Sequence, residues 1–518
     1  MKSKENNIAA LLDKVAITHG KRAALVYKDS SITFGELQTQ VMQCTNMLKD
    51  YGLTHGARII IMIPMSPELY IVLLAAIRCG AVAVFVDPWI PMKQIAAFAA
   101  FAQPDGFIGI PKSHLLRMLD RKLSNIKISI TTGASLFGLP ARHSLRKLAE
   151  YKADADVAAV TEDDPALITF TSGSSGIPKG ANRTHGFLIA QYEALCRELQ
   201  YSDNDIDMPM FPVFALRNIA AGITSVIPDM NFKNVAGVDA GRIYRQLTEN
   251  NVSIVTASPP FIDRLAARGA PPSLRKIFTG GAPVTAEQLQ KWKTAFPNSE
   301  IEIIYGSTEA EPVAHISAED RLAAESETGY CCGTPTNLIK TRIVKISKDR
   351  ITPDDLEKMT LPPGKIGELL VSGSHVCQSY FNNPDAVLDN KVFDHNQTCW
   401  HRMGDTGYFD ESGRFFLTGR IHSTIIRNGE VLHAQLVEAE FAKQYPKAER
   451  IAALELDGKL VVVVQHSGVQ PETSAATSPP AVNADSIIFT HKKLPLDPRH
   501  NSKIDYNILR EQLLKGKF

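Results

Sequence analysis

Long apolar runs are missing from this chain of 518 residues. The longest, Ile71 to Val86, is broken by Arg78 and Gly80, so it reads as a buried helix followed by a strand and not as a membrane span. The first residues, MKSKENNIAALLDKVAITHG, carry lysines but no long apolar core, which is not the pattern of a secretory signal. Cysteine is sparse: seven residues, only Cys331-Cys332 adjacent and no CxxC pair. That excludes a disulfide frame or a zinc site and suggests reduced thiols in a cytoplasmic protein. Charge of one sign is missing too. A net of +1 offers no overall field for steering nucleic acid or for binding acidic lipid. No solenoid period is visible.

What remains is the composition of a globular protein, 44% hydrophobic and 21% charged, with a length that suggests two or three domains. Between residues 20 and 160 strand-like and helix-like patterns alternate. Ala23–Tyr27 reads as a strand, Thr33–Tyr51 as an amphipathic helix and Ile59–Ile63 as a buried strand. Ser66–Arg78 reads as a helix and Ala83–Val86 as a strand closed by Asp87-Pro88. Alternation of this kind predicts an α/β fold with helix-covered sheets. From Gly367 onward short strands dominate, and a small terminal domain is expected after Arg420. Its Ser-, Pro-, Ala- and Thr-rich segment Glu472–Asp485 reads as a surface loop.

The organising stretch is TFTSGSSGIPKGANRTH, Thr169 to His185. An apolar strand ends at Thr171, Ser172, Gly173, Ser174, Ser175 and Gly176, then Pro178, Lys179 and Gly180; a helix-like run, Phe187–Leu199, follows. Glycines let the backbone approach a ligand, hydroxyls supply short donors, and successive N–H groups form an anion nest beside the Lys179 charge. The loop suits phosphate. It is not a Walker A loop, because Gly180 and not Ser or Thr follows Lys179. Two more strands end in polar or glycine-rich turns: Ile277–Thr279 before Gly280, Gly281, Ala282 and Pro283, and Ile301–Ile304 before Tyr305, Gly306, Ser307, Thr308 and Glu309. Ligands gather at the carboxyl ends of strands in open α/β sheets, so Thr171, Gly280 and Tyr305 are expected to face one crevice. Met208–Leu216 is an apolar wall with little helix propensity, containing Phe211, Val213 and Phe214.

The spacing TSGSSGIPKG resembles the phosphate loop of the AMP-forming adenylating enzymes: acyl-CoA synthetases, luciferases and peptide-synthetase adenylation domains. YGSTE (Tyr305–Glu309), GDTGYFD around Asp405, and LTGR ending at Arg420 resemble later motifs of that family in the same order. The resemblance implies a large N-terminal adenylate-forming domain, 1–419, and a small α+β C-terminal domain, 420–518, joined by a hinge. It implies ATP and Mg2+, with Tyr305 stacking on adenine, Thr308 at the phosphate and Glu309 as the metal ligand. Asp405 is expected on the ribose, Arg420 beside ribose and phosphate, and Gly280 to Pro283 in the nucleotide site. Phe211, Val213 and Phe214 would line the acyl pocket. Lys503 would reach the acyl-phosphate oxygens, although its surroundings, PLDPRHNSKI, depart from the usual Gly-Lys pair. His422 stands at the hinge position, where the family commonly has Asp or Lys.

PLDPRHNSKI, GFIGIPKSH, VFVDP and FPVFALRNIAAGITSVIPDM resemble the OleC-type β-lactone synthetases, and Phe211-Pro212 lacks a histidine common in CoA ligases. This narrower resemblance implies activation of a hydrophobic 3-hydroxy acid, 2-alkylated or not. The substrate's own hydroxyl would then expel AMP and close a β-lactone. Its proton acceptor is open, with His500, His185 and His422 candidates by residue type. The alternatives are an acyl-CoA or fatty acyl-AMP ligase, and a silent scaffold member, against which intact Lys179, Glu309, Asp405 and Lys503 count. Enzymes of one pathway are possible partners; no nucleic acid and no membrane span are expected.

Overall fold

The computed structural model describes residues 1–86, 95, 97–98, 101–135, 141–171, 179–324, 329–347, 349–427, 430–468, 483–496 and 504–518. Two large sheets and a smaller C-terminal α+β unit make up the molecule. The first sheet has seven strands in the order His143–Ser144, Ile128–Thr131, Gly106–Gly109, Arg58–Met62, Val82–Phe85, Pro165–Thr171, Lys179–Thr184. All neighbours are parallel except the last pair, where Lys179–Thr184 turns back antiparallel along Pro165–Thr171. The second sheet has fourteen strands. Its parallel half runs Ala23–Tyr27, Thr224–Ile227, Ile206–Pro209, Ile254–Ala257, Lys276–Gly280, Glu300–Ser307. It then continues antiparallel through Ala310–Ser317, Tyr330–Pro335, Phe415–Arg420, Cys399–Phe409, Gly367–Ser372 and Lys340–Val344.

Local sequence sets the element ends. Thr33 and Glu36 form a reciprocal capping box at the start of the helix Phe34–Asp50. The Thr184 hydroxyl accepts from the Phe187 N–H at 3.2 Å and starts the helix His185–Glu198 behind the phosphate-loop segment. The helix Phe34–Asp50 turns buried Leu37, Val41, Cys44 and Leu48 inward, towards the helix Pro67–Arg78, buried from Leu69 onward.

One expectation is corrected. Met208–Leu216 is not an extended apolar wall: the strand Ile206–Pro209 is followed by the helix Pro212–Ala221. Pro212 sits in its first turn, where an N–H would have no helical partner, so its low propensity costs little. Gly222 closes the helix at φ +76°, a conformation open to glycine.

The C-terminal unit holds a three-stranded sheet, Arg450–Leu456, Lys459–Gln465 and Ser486–Thr490, with the helices Ala434–Gln444 and Tyr506–Leu514. A hairpin, Thr424–Arg427 with Glu430–His433, leads into it. Asp87-Pro88 and most of Glu472–Asp485 lie outside the described residues. Among those described, no helix is long and apolar enough to cross a membrane.

Candidate active site

A short segment, Val376 to Phe381, ties the two sheets together. On one side Asn182 N–H donates to Ser379 O (3.1 Å) and Phe381 N–H to Gly180 O (2.8 Å). On the other, Cys377 N–H donates to Glu309 O (2.7 Å), and Ala310 bridges Val376. Arg183 adds a third tie, donating to Thr308 O at 2.8 Å. Lys179 and the turn Ser307–Glu309 are thereby fastened to one strap.

The phosphate-loop end is dense in charge. The Tyr380 hydroxyl donates to Glu309 Oε1 (3.1 Å), and its ring lies between two ammonium groups, Lys179 Nζ at 5.9 Å and Lys391 Nζ at 5.1 Å from the centroid. Lys179 donates to Asn390 Oδ1 at 2.9 Å. Lys391 is buried and donates to Cys377 O. Burial works to raise the pKa of Glu309, but His401, Lys391 and the Tyr380 hydroxyl together hold it below the ordinary carboxylate value. His401 is itself pushed down to about 3 by burial and by the Lys391 charge, so at neutral pH Lys391 supplies the field. Lys179 is lowered by burial, against the pull of Glu309 and Asp389.

At the other end Asp405 is buried and doubly held. The Tyr305 hydroxyl donates to Oδ2 (2.7 Å), and Arg420 Nε lies 2.7 Å from Oδ1. Burial and the Asp405 charge keep the Tyr305 hydroxyl protonated, as a donor must be. Ser307 Oγ reaches Met403 Sδ at 3.8 Å, linking this pair to the turn carrying Glu309. Arg402 braces the Asp405 strand by buried bonds from Nε to both Glu368 oxygens at 3.0 Å.

Gly280 ends its strand against Ile304, and a Cβ there would strike the Ile304 carbonyl at 2.4 Å. Gly281, Ala282 and Pro283 follow, partly or fully exposed. Phe214 is buried with Leu195, Leu199, Ile254, Phe278 and Ile304, with Phe211 and Val213 partly buried against it. Burying each large side chain there contributes about 1.5–3 kcal/mol.

Ser172 to Gly176, Lys503 and His500 lie outside the described residues. The His422 ring stands edge-on to Tyr506 at 6.5 Å. His185 is buried, and burial pushes it down to about 4, with Asp164 working to raise it. Tyr380, Lys391 and His401 escaped the sequence reading. Their signal was faint: Lys391 opens the short strand Lys391–Phe393 and His401 lies near the start of Cys399–Phe409.

The chain belongs to the AMP-binding enzymes: the model of that family matches residues 12–381. It is an AMP-forming, carboxylate-adenylating ligase. It is 30% identical to the olefin beta-lactone synthetase of Stenotrophomonas maltophilia (strain K279a) over 96% of each chain. To the olefin beta-lactone synthetase of Xanthomonas campestris pv. campestris it is 31% identical, again over 96% of each. The 4-coumarate–CoA ligase-like 4 of Oryza sativa subsp. japonica is 27% identical over 77% of this chain and 71% of its own. ATP-bound MatB from Rhodopseudomonas palustris has the same fold, with a TM-score of 0.80 at 19% identity and 99% of both chains covered.

Proposed function

We propose that the protein is an ATP-dependent β-lactone synthetase acting on a hydrophobic 3-hydroxy carboxylic acid, with or without a 2-alkyl branch. The observation that carries this reading is the likeness to two olefin beta-lactone synthetases along 96% of the chain, whereas the rice CoA ligase-like protein aligns with 77%. The lack of a histidine at Phe211-Pro212 points the same way.

A carboxylate is a poor electrophile. Its oxygen attacks the α-phosphorus of ATP, pyrophosphate leaves, and an acyl-AMP forms. Lys179, and Lys503 from the C-terminal domain, offset the charge that develops on the phosphates. The substrate's 3-hydroxyl oxygen then bonds to the acyl carbon, the bond to AMP breaks, and the hydroxyl proton is released. Acid and ATP thus give lactone, AMP and pyrophosphate, and holding hydroxyl and carbonyl together replaces an external thiol. In this reading Thr171 to Gly176 and Thr308 bind phosphate, Tyr305 and Gly280 to Pro283 the adenine side, Asp405 and Arg420 the ribose. The domain boundary falls at 419/420 with His422 as the hinge.

Magnesium fits the donors present. Among the described residues no group of three or more His, Cys, Asp or Glu could cage a metal. Mg2+ needs no such cage: one or two carboxylates plus substrate phosphates and water suffice, and Glu309 is a buried carboxylate held ionised. When bound, the ion would neutralise phosphate charge.

The test uses a panel of 3-hydroxy acids with ATP and magnesium and no thiol. The expected product has the acid's mass less one water and a strained-ring carbonyl absorption. Coenzyme A should not speed turnover, and the acid without its hydroxyl should stall at acyl-AMP or not react. A CoA-dependent thioester as main product would replace this reading with the acyl-CoA ligase one, which the plant likeness favours.

A further inference from the structure

The helix Pro111–Leu119 is built inside out. Its buried residues are Ser113, His114 and Arg117. Ser113 Oγ donates to Met62 O (3.0 Å), His114 Nε2 to Ile130 O (2.9 Å), and Arg117 Nε to His114 Nδ1 (3.2 Å). Its outward face is apolar: Leu115 is 58% exposed, Met118 46% and Leu119 81%. Positions i, i+3 and i+4 share one face of a helix, so these three make one patch. The other large exposed hydrophobics among the described residues are scattered along the chain. Packing among the described residues does not explain the patch.

Charge accompanies it along the chain. Lys112 on the same helix, and Arg121, Lys122 and Lys127 just after it in the chain, are exposed, and none makes an ion pair among the described residues. Between residues 105 and 150 there are eight Lys and Arg, Arg117 alone of them buried, against three Asp and Glu, a net of +5 in a chain whose total is +1. The overall near-neutrality therefore conceals a locally basic stretch of chain. Exposed apolar side chains in a stretch rich in exposed Lys and Arg match a lipid interface, where chains enter the acyl boundary and cations meet anionic headgroups. Nucleic acid would satisfy the cations but leave the three apolar side chains in water.

We propose that this face docks the enzyme on the surface of an anionic bilayer, without spanning it. The proposal does not rest on which acid is activated, although a hydrophobic acid would be met at that surface.

Flotation of the full chain with vesicles tests it. Wild type should float with phosphatidylcholine vesicles carrying phosphatidylglycerol, not with phosphatidylcholine alone, and should be released by salt. L115Q/M118Q/L119Q and, separately, K112E/K122E should each lower vesicle affinity about tenfold or more. Adenylation of a short soluble acid and thermal melting should match wild type; if the apolar variant melts early, the charge variant carries the test. No flotation of wild type, or flotation undiminished in a folded variant, overturns the proposal. So does tight binding of an oligonucleotide that ignores the three glutamines, which would make the face a nucleic-acid surface.

Discussion

At the Asp405 end of the site, one carboxylate meets one guanidinium and one hydroxyl, and both its oxygens are engaged. At the Lys179 end, two ammonium groups lie close to one aromatic ring, with the Glu309 and Asp389 carboxylates nearby. The first end is a closed ion pair; the second gathers several charges of both signs. A balanced, pre-oriented carboxylate suits neutral hydroxyls, whose recognition is a matter of geometry. Converging ammonium groups suit a polyanion. The difference is consistent with the proposed placing of sugar at one end and phosphate at the other.

Breaking the charged end should have the largest effect. Lys391→Met removes the cation that keeps Glu309 ionised and strips Cys377 O of its donor. Adenylation kcat/KM should fall about 100-fold, at the low end of the range for loss of one preorganised group. Lys391 is a positioning residue, so the discriminating readouts are others. The magnesium titration should shift right, the acid limb of the pH–rate profile should move to higher pH as the Glu309 pKa rises, and Lys391→Arg should restore part of both. An unchanged magnesium curve in a folded Lys391→Met protein would remove the residue from the site.

The balanced end should respond differently. Asp405→Asn keeps an acceptor for Tyr305 but deprives Arg420 of its counter-charge. KM for ATP should rise about tenfold, with a smaller change in kcat, the signature of lost ground-state binding. A fall confined to kcat would contradict the comparison.

The smallest effect concerns stability. His315 lies between Glu302 Oε2 (2.8 Å) and Glu198 Oε2 (3.2 Å), and the Glu302 hydrogen bond leads in raising its pKa. A raised folded pKa contributes stability that is fully present below the unfolded value and is lost as pH rises through the folded one. Melting temperature should therefore drop on the order of 1 °C across that window, above pH ~6.5. His315→Ala should remove that slope while leaving both ends of the site working. An identical pH dependence in the variant would rule the triad out.

The strands Ala23–Tyr27 and Ile254–Ala257 were legible to the residue, because β-branched and apolar runs flanked by turn residues leave few alternatives. The helix Phe34–Asp50 announced both ends, Thr33 through its capping box and Tyr51 just beyond. The helix Pro212–Ala221 was missed because prolines and phenylalanines weigh against helix on average, while Pro212 occupies the one turn that tolerates it. In the site, the motif-bearing Tyr305, Glu309, Asp405 and Arg420 were legible. Tyr380, Lys391 and His401 were not, since nothing local marks a lysine as buried beside a glutamate many residues away.

The strap from Val376 to Phe381 also has a consequence for the order of assembly. Asn182 bonds Ser379 across 197 residues of chain, Lys179 bonds Asn390 across 211, and Tyr380 bonds Glu309 across 71. These three closures tie residues of the two sheets together through one segment, and each closes a long loop of chain. A chain that has not yet reached residue 380 lacks both the Tyr380 hydroxyl at Glu309 and the strap that ties the two sheets, so adenylation is expected only once that segment has joined them.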